Sequence, residues 1–170
     1  MRDERSAATA FVAAGANLGD RRASIEGALR ALSRARGVGL ERVSRLRETD
    51  PVGGPPGQPR YLNGVARLSA RLEPLALLRL LLRIERDFGR DRRREVPGGP
   101  RALDLDLLCL GDLRIATPGL VLPHPRMEER LFVLEPLAEI APDLVLARSG
   151  RTVSERVAEL LAERGQRVCS

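Results

Sequence analysis

The sequence contains no lysine and no tryptophan, and it has one histidine and two cysteines. Because a P-loop uses a lysine to reach the terminal phosphates of a nucleotide, the absence of lysine excludes that kind of nucleotide site. Cys109 and Cys169 are far apart and match neither a zinc-ligand spacing nor a disulfide framework. We therefore expect Cys109 to be a buried thiol and Cys169 to lie in a frayed end of the chain.

No hydrophobic run approaches the roughly 18 residues of a membrane span. The first nine residues are rich in charge and have no apolar stretch before a small-residue cleavage site, so we expect no secretory signal. A chain of 170 residues with 43% hydrophobic and 31% charged residues is typical of one soluble domain. We expect a single domain over residues 1–170, no membrane partner and a cytoplasmic location.

All 29 basic residues are arginines, and with 23 acidic residues the net charge is +6. A basic protein can attract nucleic acid, so an RNA-binding module is one candidate function. The use of arginine in place of every lysine is also what GC-rich codon usage produces. The number of arginines therefore does not identify a site, and only arginines with particular neighbours are considered further.

The spacing of hydrophobic residues predicts alternating strands and helices. Strands are expected over about 10–16, 38–49, 61–72 and 103–108, with a short partner strand over 113–115. Helices are expected after Asp20, from Pro74 to about Phe88, over about 130–140, and over about 153–164 behind a Thr152–Glu155 capping box. This order is that of a ferredoxin-like βαββαβ sandwich in the α+β class, with additional C-terminal helices.

A sheet of this kind buries one face under its two helices and leaves the other face open for a site. Side chains alternate along a strand, so Tyr61, Asn63, Asp104 and Asp106 fall on the side opposite the leucines of their strands. We expect these four side chains on the open face.

Two irregular segments interrupt the pattern. Residues Asp50–Arg60 contain four prolines and three glycines, and residues Arg90–Pro100 contain four arginines followed by a Pro-Gly-Gly-Pro sequence. Neither composition suits a helix or a central strand. Long loops inside a compact domain are usually functional, so we expect both beside a site.

Asp104 and Asp106 are separated by one residue, so a strand presents both on one side, about 7 Å apart. Paired carboxylates suit Mg²⁺, which takes one or two of them and completes its coordination with water and phosphate oxygens. The alternative is a solvated strand edge. Arg90, Arg92 and Arg101 flank the loop before this strand, where they form either a phosphate clamp or a solvated charge run.

His124 lies between two prolines and close to Arg130 in sequence, which suits either a structural histidine or a phosphate contact. Tyr61 and Phe132 are two of only four aromatic residues in the chain. They are either packing residues or two rings that enclose a flat heteroaromatic ligand, whose edge Asn63 would recognise by hydrogen bonds.

Several of these motifs occur together. They are Gly15-Ala-Asn-Leu-Gly19, Thr49-Asp-Pro-Val-Gly53, Gln58-Pro-Arg-Tyr-Leu-Asn63, Ile84-Glu85, Gly89-Arg-Asp-Arg92, Gly99-Pro-Arg-Ala-Leu-Asp-Leu-Asp106 and Pro123-His-Pro-Arg126. In their order and spacing the chain, over about residues 11–144, resembles the 6-hydroxymethyl-7,8-dihydropterin pyrophosphokinases of folate biosynthesis. The resemblance implies a ferredoxin-like fold and transfer of the pyrophosphoryl group of ATP to the hydroxymethyl oxygen of the pterin, which leaves AMP.

The resemblance also implies roles for individual residues. Asp104 and Asp106 match the ligands of two Mg²⁺ ions, and Arg90, Arg92 and Arg101 match catalytic arginines beside the triphosphate. The residues that match ATP contacts are Glu85, Arg92, His124 and Arg130. The residues that match pterin contacts are Thr49, Pro51, Val52, Tyr61, Asn63 and Phe132. We expect a monomer whose partners are ATP and the pterin, with no nucleic acid.

The chain departs from the family pattern at several positions. Ala16, Leu82, Gly98 and Gly119 stand where a serine, a glutamine, a loop aromatic and an arginine can occur. These differences bear on nucleotide affinity and on loop closure. A pterin-binding homologue with weakened catalysis is therefore a second alternative, beside the RNA-binding module.

Overall fold

The structure is a computed structural model that describes residues 6–93 and 95–168. The strands are β1 (Ala8–Ala16), β2 (Val38–Val43), β3 (Arg47–Thr49), β4 (Tyr61–Ala70), β5 (Asp104–Leu110), β6 (Ile115–Thr117) and β7 (Leu120–Leu122). The helices are α1 (Arg21–Arg34), α2 (Pro74–Asp87), α3 (Leu131–Ile140) and α4 (Val153–Val168), and a short 3₁₀ helix (Met127–Glu129) precedes α3. No helix in the described part of the chain is long and apolar enough to cross a membrane.

The main sheet has the strand order β2-β4-β1-β5, with β3 also paired to β4, and the pairings are antiparallel. With β2 and β3 taken as two parts of one strand, this is the ferredoxin-like arrangement, so the predicted fold class is confirmed. The helix starts agree with the sequence: Asp20 accepts a hydrogen bond from the Ala23 N–H at 3.0 Å, and Pro74 lies in the first turn of α2. Thr152 and Glu155 form the predicted capping box of α4.

One face of the sheet packs against α1 and α2 in a buried hydrophobic core. Leu103, Leu105 and Leu107 belong to this core, as their alternation predicts. Because successive side chains of a strand point to opposite faces, Asp104 and Asp106 are directed to the other side of the sheet.

That second face is not open along its whole length, contrary to the expectation from the sequence. Residues of α3 and α4 cover part of it and form a second buried cluster with Phe11, Val65 and Leu108. The register between β1 and β5 shifts between Phe11 and Val12, where β5 has an extra residue and forms a bulge. Because of this bulge, the consecutive residues Leu108 and Cys109 both belong to the second cluster. Cys109 is thus a buried thiol, as predicted, while Cys169 lies outside the described residues.

The strand predicted over 38–49 is divided into β2 and β3. Val43 pairs with Ala66 of β4, and Arg47 pairs with Asn63 of β4. The chain has one more residue between Val43 and Arg47 than β4 has between their partners, so it bulges there. The bulge stays attached to β4, because the Ser44 N–H donates to the Val65 carbonyl and the Ser44 hydroxyl accepts from the Val65 N–H, both at 2.9 Å. β3 then runs beside the start of β4, at the edge of the site.

The partner strand expected over 113–115 does not join the main sheet. Only Ile115 of that segment is in a strand, and β6 pairs with β7 in a separate two-stranded hairpin.

Candidate functional site

A cavity of about 230 Å³ lies on the second face of the sheet, where the two long loops meet the start of α3. Pockets for drug-sized ligands span about 300–1,000 Å³, so this cavity suits a small ligand. The predicted site residues in its wall are Thr49, Val52, Tyr61, Asn63, Arg101, Asp104, Asp106, Arg130 and Phe132. The predicted site residues outside its wall are Pro51, Glu85, Arg90, Arg92 and His124.

The two aspartates of β5 form one side of the cavity. Burial, and then the charge of Asp104, raise the pKa of Asp106 to about 6. Among the described residues, His, Cys, Asp and Glu side chains form no group of three or more that could hold a metal ion. A cation here would therefore have two carboxylates as protein ligands, which suits Mg²⁺ because Mg²⁺ keeps water and phosphate oxygens in its remaining positions.

Two predicted arginines line the cavity beside these carboxylates. Arg101 donates a hydrogen bond to Asp104 at 3.0 Å, and the Arg130 guanidinium lies 3.7 Å from an Asp106 oxygen. Arg126, which was not among the predicted site residues, also lies in the wall. Burial, and then the charge of Arg126, lower the pKa of Arg130. An anionic ligand bound here would relieve the repulsion between these guanidinium groups.

His124 lies beside this group of arginines. Its backbone N–H donates to the Leu108 carbonyl at 2.7 Å, and its Nδ1 accepts from the Arg126 N–H at 3.2 Å. Burial, and then the charge of Arg130, lower the pKa of His124, so the ring is neutral at pH 7. With Nδ1 as acceptor, the proton of the neutral ring is on Nε2, where it is a hydrogen-bond donor.

Arg90 and Glu85 lie outside the cavity wall. The Arg90 side chain is 4% exposed and forms ion pairs with Glu85 at 2.6 Å, with Glu95 at 2.9 Å and with Asp104. Burial lowers the pKa of Arg90, but Glu95, Asp104 and Glu85 together raise it above its ordinary value. The resemblance implies a catalytic arginine beside the triphosphate, whereas in this conformation three carboxylates hold the Arg90 side chain outside the cavity wall.

Arg92 is held less firmly than Arg90. Its side chain is 53% exposed and forms one described ion pair, to Glu85 at 2.7 Å. Glu85 itself is buried. A predicted ATP contact by Glu85 would require the carboxylate to leave its buried position, whereas Arg92 would reach a ligand by leaving its described ion pair with Glu85.

Tyr61 and Phe132 both line the cavity. The Tyr61 hydroxyl donates to the Gly99 carbonyl at 3.1 Å, and burial raises the pKa of this hydroxyl. The Arg130 guanidinium lies over Phe132, 5.5 Å from the ring centroid, within cation–π range. Each ring is therefore held in place by a polar neighbour.

Asn63 and Thr49 form the polar part of the wall. Asn63 Nδ2 donates to Thr49 Oγ1 at 2.6 Å. A Cβ atom at Gly15 would lie 2.6 Å from Asn63 Oδ1, so glycine at that position leaves room for the amide. The Asn63 side chain thus has a defined orientation at the cavity.

The two long loops contact each other across the cavity, which the sequence did not predict. Gln58 Nε2 donates to the Gly98 carbonyl at 2.9 Å. A Cβ atom at Gly54 would lie 2.0 Å from that same oxygen, and Gly98 has a φ of 70°. Glycine at both positions is required for this approach, so Gly98, one of the departures from the family pattern, has a structural reason in this chain.

Asn17 connects both loops to the end of β1. It is 2% exposed, and its side-chain amide donates to the Pro59 carbonyl at 3.2 Å and to Gln58 Oε1 at 3.4 Å. Its Oδ1 accepts from the Arg101 N–H at 2.7 Å. The signal in the sequence was a polar residue directly after a buried strand, inside the Gly15–Gly19 motif.

The fold and the site together define a ferredoxin-like α+β domain with a small-ligand cavity in which two carboxylates face several arginines. The family model for 7,8-dihydro-6-hydroxymethylpterin-pyrophosphokinase matches residues 11–142. The chain belongs to this family. The 2-amino-4-hydroxy-6-hydroxymethyldihydropteridine pyrophosphokinase of Synechocystis is 42% identical over 89% of this chain and 75% of its own length. The Pseudomonas aeruginosa protein of the same name is 46% identical over 87% of this chain and 89% of its own length.

Solved structures also have this fold. The crystal structure of Plasmodium falciparum wild-type HPPK-DHPS with pteroate superimposes with a TM-score of 0.77 over 100% of this chain, at 13% identity. At that identity the likeness shows the fold alone. The chain spans 45% of the length of that protein.

Proposed function

We propose that this chain transfers the β,γ-pyrophosphoryl group of ATP to the hydroxymethyl oxygen of 6-hydroxymethyl-7,8-dihydropterin, as a step of folate biosynthesis. Family membership over residues 11–142 supports the reaction. The observation that carries the proposal for this chain is the placement of Asp104 and Asp106 in one cavity wall with Arg101, Arg130 and two aromatic rings. This wall offers groups for both substrates, a phosphate chain and a flat ring.

The pterin is proposed to bind between Tyr61 and Phe132, with Asn63 and Thr49 at its polar edge. Aromatic rings provide large apolar contact with a heteroaromatic ring, and an amide can both donate to and accept from it. Val52 lines the same cavity, and Pro51 lies next to it in the loop. The volume of about 230 Å³ agrees with one bicyclic ligand inside and the nucleotide at the mouth.

The phosphates of ATP are proposed to lie between the aspartates and the arginines. Arg101 and Arg130 would bind phosphate oxygens from the cavity wall, and Arg92 would turn from Glu85 toward them. His124 Nε2 would donate a further hydrogen bond. Guanidinium groups stay charged and bind phosphate in a bidentate way, so they would also oppose the negative charge that develops during transfer.

Asp104 and Asp106 are proposed to hold Mg²⁺, with two ions as the expected number. Bound there, Mg²⁺ would neutralise phosphate charge and orient the triphosphate. The oxygen-only donor pair and the low number of protein ligands fit this ion.

The proposed transfer is an in-line displacement. The hydroxymethyl oxygen forms a bond to the β-phosphorus of ATP while the bond from that phosphorus to the α–β bridging oxygen breaks, so AMP leaves and the hydroxyl proton goes to solvent. The protein contributes by positioning the two substrates and by stabilising charge, which dominate catalysis of this kind of reaction. The two loops around the cavity would exclude water that otherwise hydrolyses ATP.

We further propose that the chain is a monomer in the cytoplasm and does not bind nucleic acid. An RNA-binding sheet needs aromatic residues in its central strands, and two aspartates beside the site would repel a phosphate backbone in the absence of a cation. A pterin-binding homologue without activity is separated from an active enzyme by the assay below.

The test is release of AMP from ATP with Mg²⁺, with and without 6-hydroxymethyl-7,8-dihydropterin. We expect AMP to form only when the pterin is present. Equal AMP release in both samples, or none in either, would contradict the proposed activity. Pterin binding without AMP release would support the inactive homologue.

A further inference from the structure

A buried carboxylate lies behind the paired aspartates. Glu85 of α2 is buried, and its side chain accepts three described hydrogen bonds. Its Oε1 accepts from the Leu105 N–H at 2.8 Å and from Arg90 at 2.6 Å, and its Oε2 accepts from Arg92 at 2.7 Å. Burial raises the pKa of Glu85, which the donors from Leu105 and Arg92 and the charge of Arg90 oppose.

The first contact fixes the backbone between the two aspartates. Leu105 stands between Asp104 and Asp106, and β5 is at the edge of the described sheet. An edge strand has outward N–H groups that no neighbouring strand can accept. Glu85 accepts a hydrogen bond from the outward Leu105 N–H. This bond connects the strand segment that carries both aspartates to α2.

The second contact fixes the side chain of Asp104. One terminal nitrogen of Arg90 donates both to Glu85 and to Asp104. Arg90 is also held by Glu95, so its guanidinium has little freedom to move. Asp104 also accepts from Arg101 at 3.0 Å, so the orientation of its carboxylate depends in part on Glu85, through Arg90.

We propose that Glu85 is a positioning residue for the metal-binding pair, one that acts through the Leu105 backbone and Arg90. This inference rests on the proposed function. A buried carboxylate is costly unless it is paired and hydrogen-bonded. The contacts of Glu85 provide a reason for a carboxylate at this position, because side chains that bind a metal need outer groups that orient them.

A purely structural role for Glu85 is the competing explanation, and the chain offers a matched control for it. Glu128 is also a buried carboxylate, 6% exposed, and it accepts from the backbone N–H groups of Arg148 at 2.9 Å and Ser149 at 3.0 Å. E85Q and E128Q remove the same charge and retain the side-chain shape. Both should lower the melting temperature, but only E85Q should change the metal site.

The experiment measures Mn²⁺ affinity by electron paramagnetic resonance, in the presence of a non-hydrolysable ATP analogue, together with steady-state kinetics. For E85Q we expect Mn²⁺ affinity and kcat each to fall about 10- to 100-fold, the range for loss of a group that orients a metal ligand. Pterin affinity should stay within about twofold of wild type, because Glu85 lies outside the cavity wall. E128Q should bind Mn²⁺ as wild type does.

E85D covers the case in which E85Q does not fold. Its shorter side chain keeps the charge but cannot reach both the Leu105 N–H and Arg90, so it should weaken Mn²⁺ binding in the same direction. Wild-type Mn²⁺ affinity in either folded variant, or an equal loss in E128Q, would overturn the proposal. Absence of AMP release by the unaltered protein would contradict the proposed function instead, and the Mn²⁺ measurement would still decide the role of Glu85.

Discussion

Asn17 and Arg101 are joined by two hydrogen bonds, one from the Arg101 N–H to Asn17 Oδ1 at 2.7 Å and one from the Asn17 N–H to the Arg101 carbonyl at 3.0 Å. The same Asn17 side chain donates to the loop that contains Pro59. The position of Arg101 beside Asp104 thus depends on a residue that follows β1, and both loops of the site share this support.

N17A should therefore reduce activity without a direct contact to substrate. The variant leaves the Arg101 N–H without its acceptor, and loss of a buried hydrogen-bond partner costs about 1–3 kcal/mol. We expect kcat/KM for ATP to fall about tenfold or more and thermal stability to decrease. N17D retains the acceptor for Arg101 but loses the donor to Pro59. Its kcat/KM for ATP, measured in a steady-state assay, should lie between the values of wild type and N17A. Full activity of N17A would show that Arg101 does not need this support.

D106N should stabilise the metal-free protein while it removes activity. The pKa of Asp106 is raised from 3.8 to about 6, so the folded state binds more protons than the unfolded state between these values and stability falls as pH rises through this window. Asparagine avoids the cost of a partly buried charge. The gain in melting temperature should be largest above about pH 6 and should vanish as pH falls toward 4.

The control for this variant is D112N, which changes an exposed aspartate in the turn after β5. Thermal scans of both variants at several pH values, in the presence of a chelator, provide the comparison. A D106N protein that is less stable than wild type at pH 7, or equally stabilised at pH 4, would refute the assignment of a costly charge to Asp106.

R92A and R93A separate a phosphate contact from a solvated charge. Both side chains belong to the same loop and both residues are exposed, but Arg92 is placed by its ion pair with Glu85. Loss of one positively charged contact to a transferring group costs about 10²- to 10³-fold in rate, so kcat of R92A should fall by about that factor. R93A should retain wild-type kcat. Equal kcat values for the two variants would remove Arg92 from the phosphate site.

Y61F and Y61A test the ring separately from its hydroxyl. Y61F loses only the hydrogen bond to the Gly99 carbonyl, so the second loop should loosen while the ring still contacts the pterin. Y61A removes the ring, and we expect at least about tenfold weaker pterin binding, or about 1.4 kcal/mol. Isothermal titration with the pterin gives both affinities. Unchanged affinity in Y61A would place the pterin elsewhere.

Local patterns in the sequence predicted most of the fold. Alternation of leucines with Asp104 and Asp106 gave the face of β5, and Asp20 and Thr152 marked helix starts that the structure confirms. The bulge between β2 and β3 was not predictable, because it depends on hydrogen bonds between Ser44 and Val65, which are 21 positions apart. The partial cover of the second face was missed for a similar reason, since packing of α3 on the sheet is a tertiary contact.

The same distinction applies to the site. Residue types and spacing were sufficient to select Asp104, Arg101 and Tyr61, which the structure brings to one cavity. Spacing did not reveal that Arg90 is buried among three carboxylates, because Glu85 and Glu95 reach it from different segments. Sequence patterns identify groups capable of chemistry, while the contacts that hold those groups depend on the folded chain.

The most direct test of the central claim follows the label from ATP that carries ³²P only at the β-phosphate. If the chain is a pterin pyrophosphokinase, the label should appear in the pterin product and unlabelled AMP should form in equal amount. Label that stays in the nucleotide as ADP would show that only the γ-phosphate leaves, by transfer or by hydrolysis, and label that appears only as inorganic pyrophosphate would show hydrolysis to AMP. Either result would contradict the account.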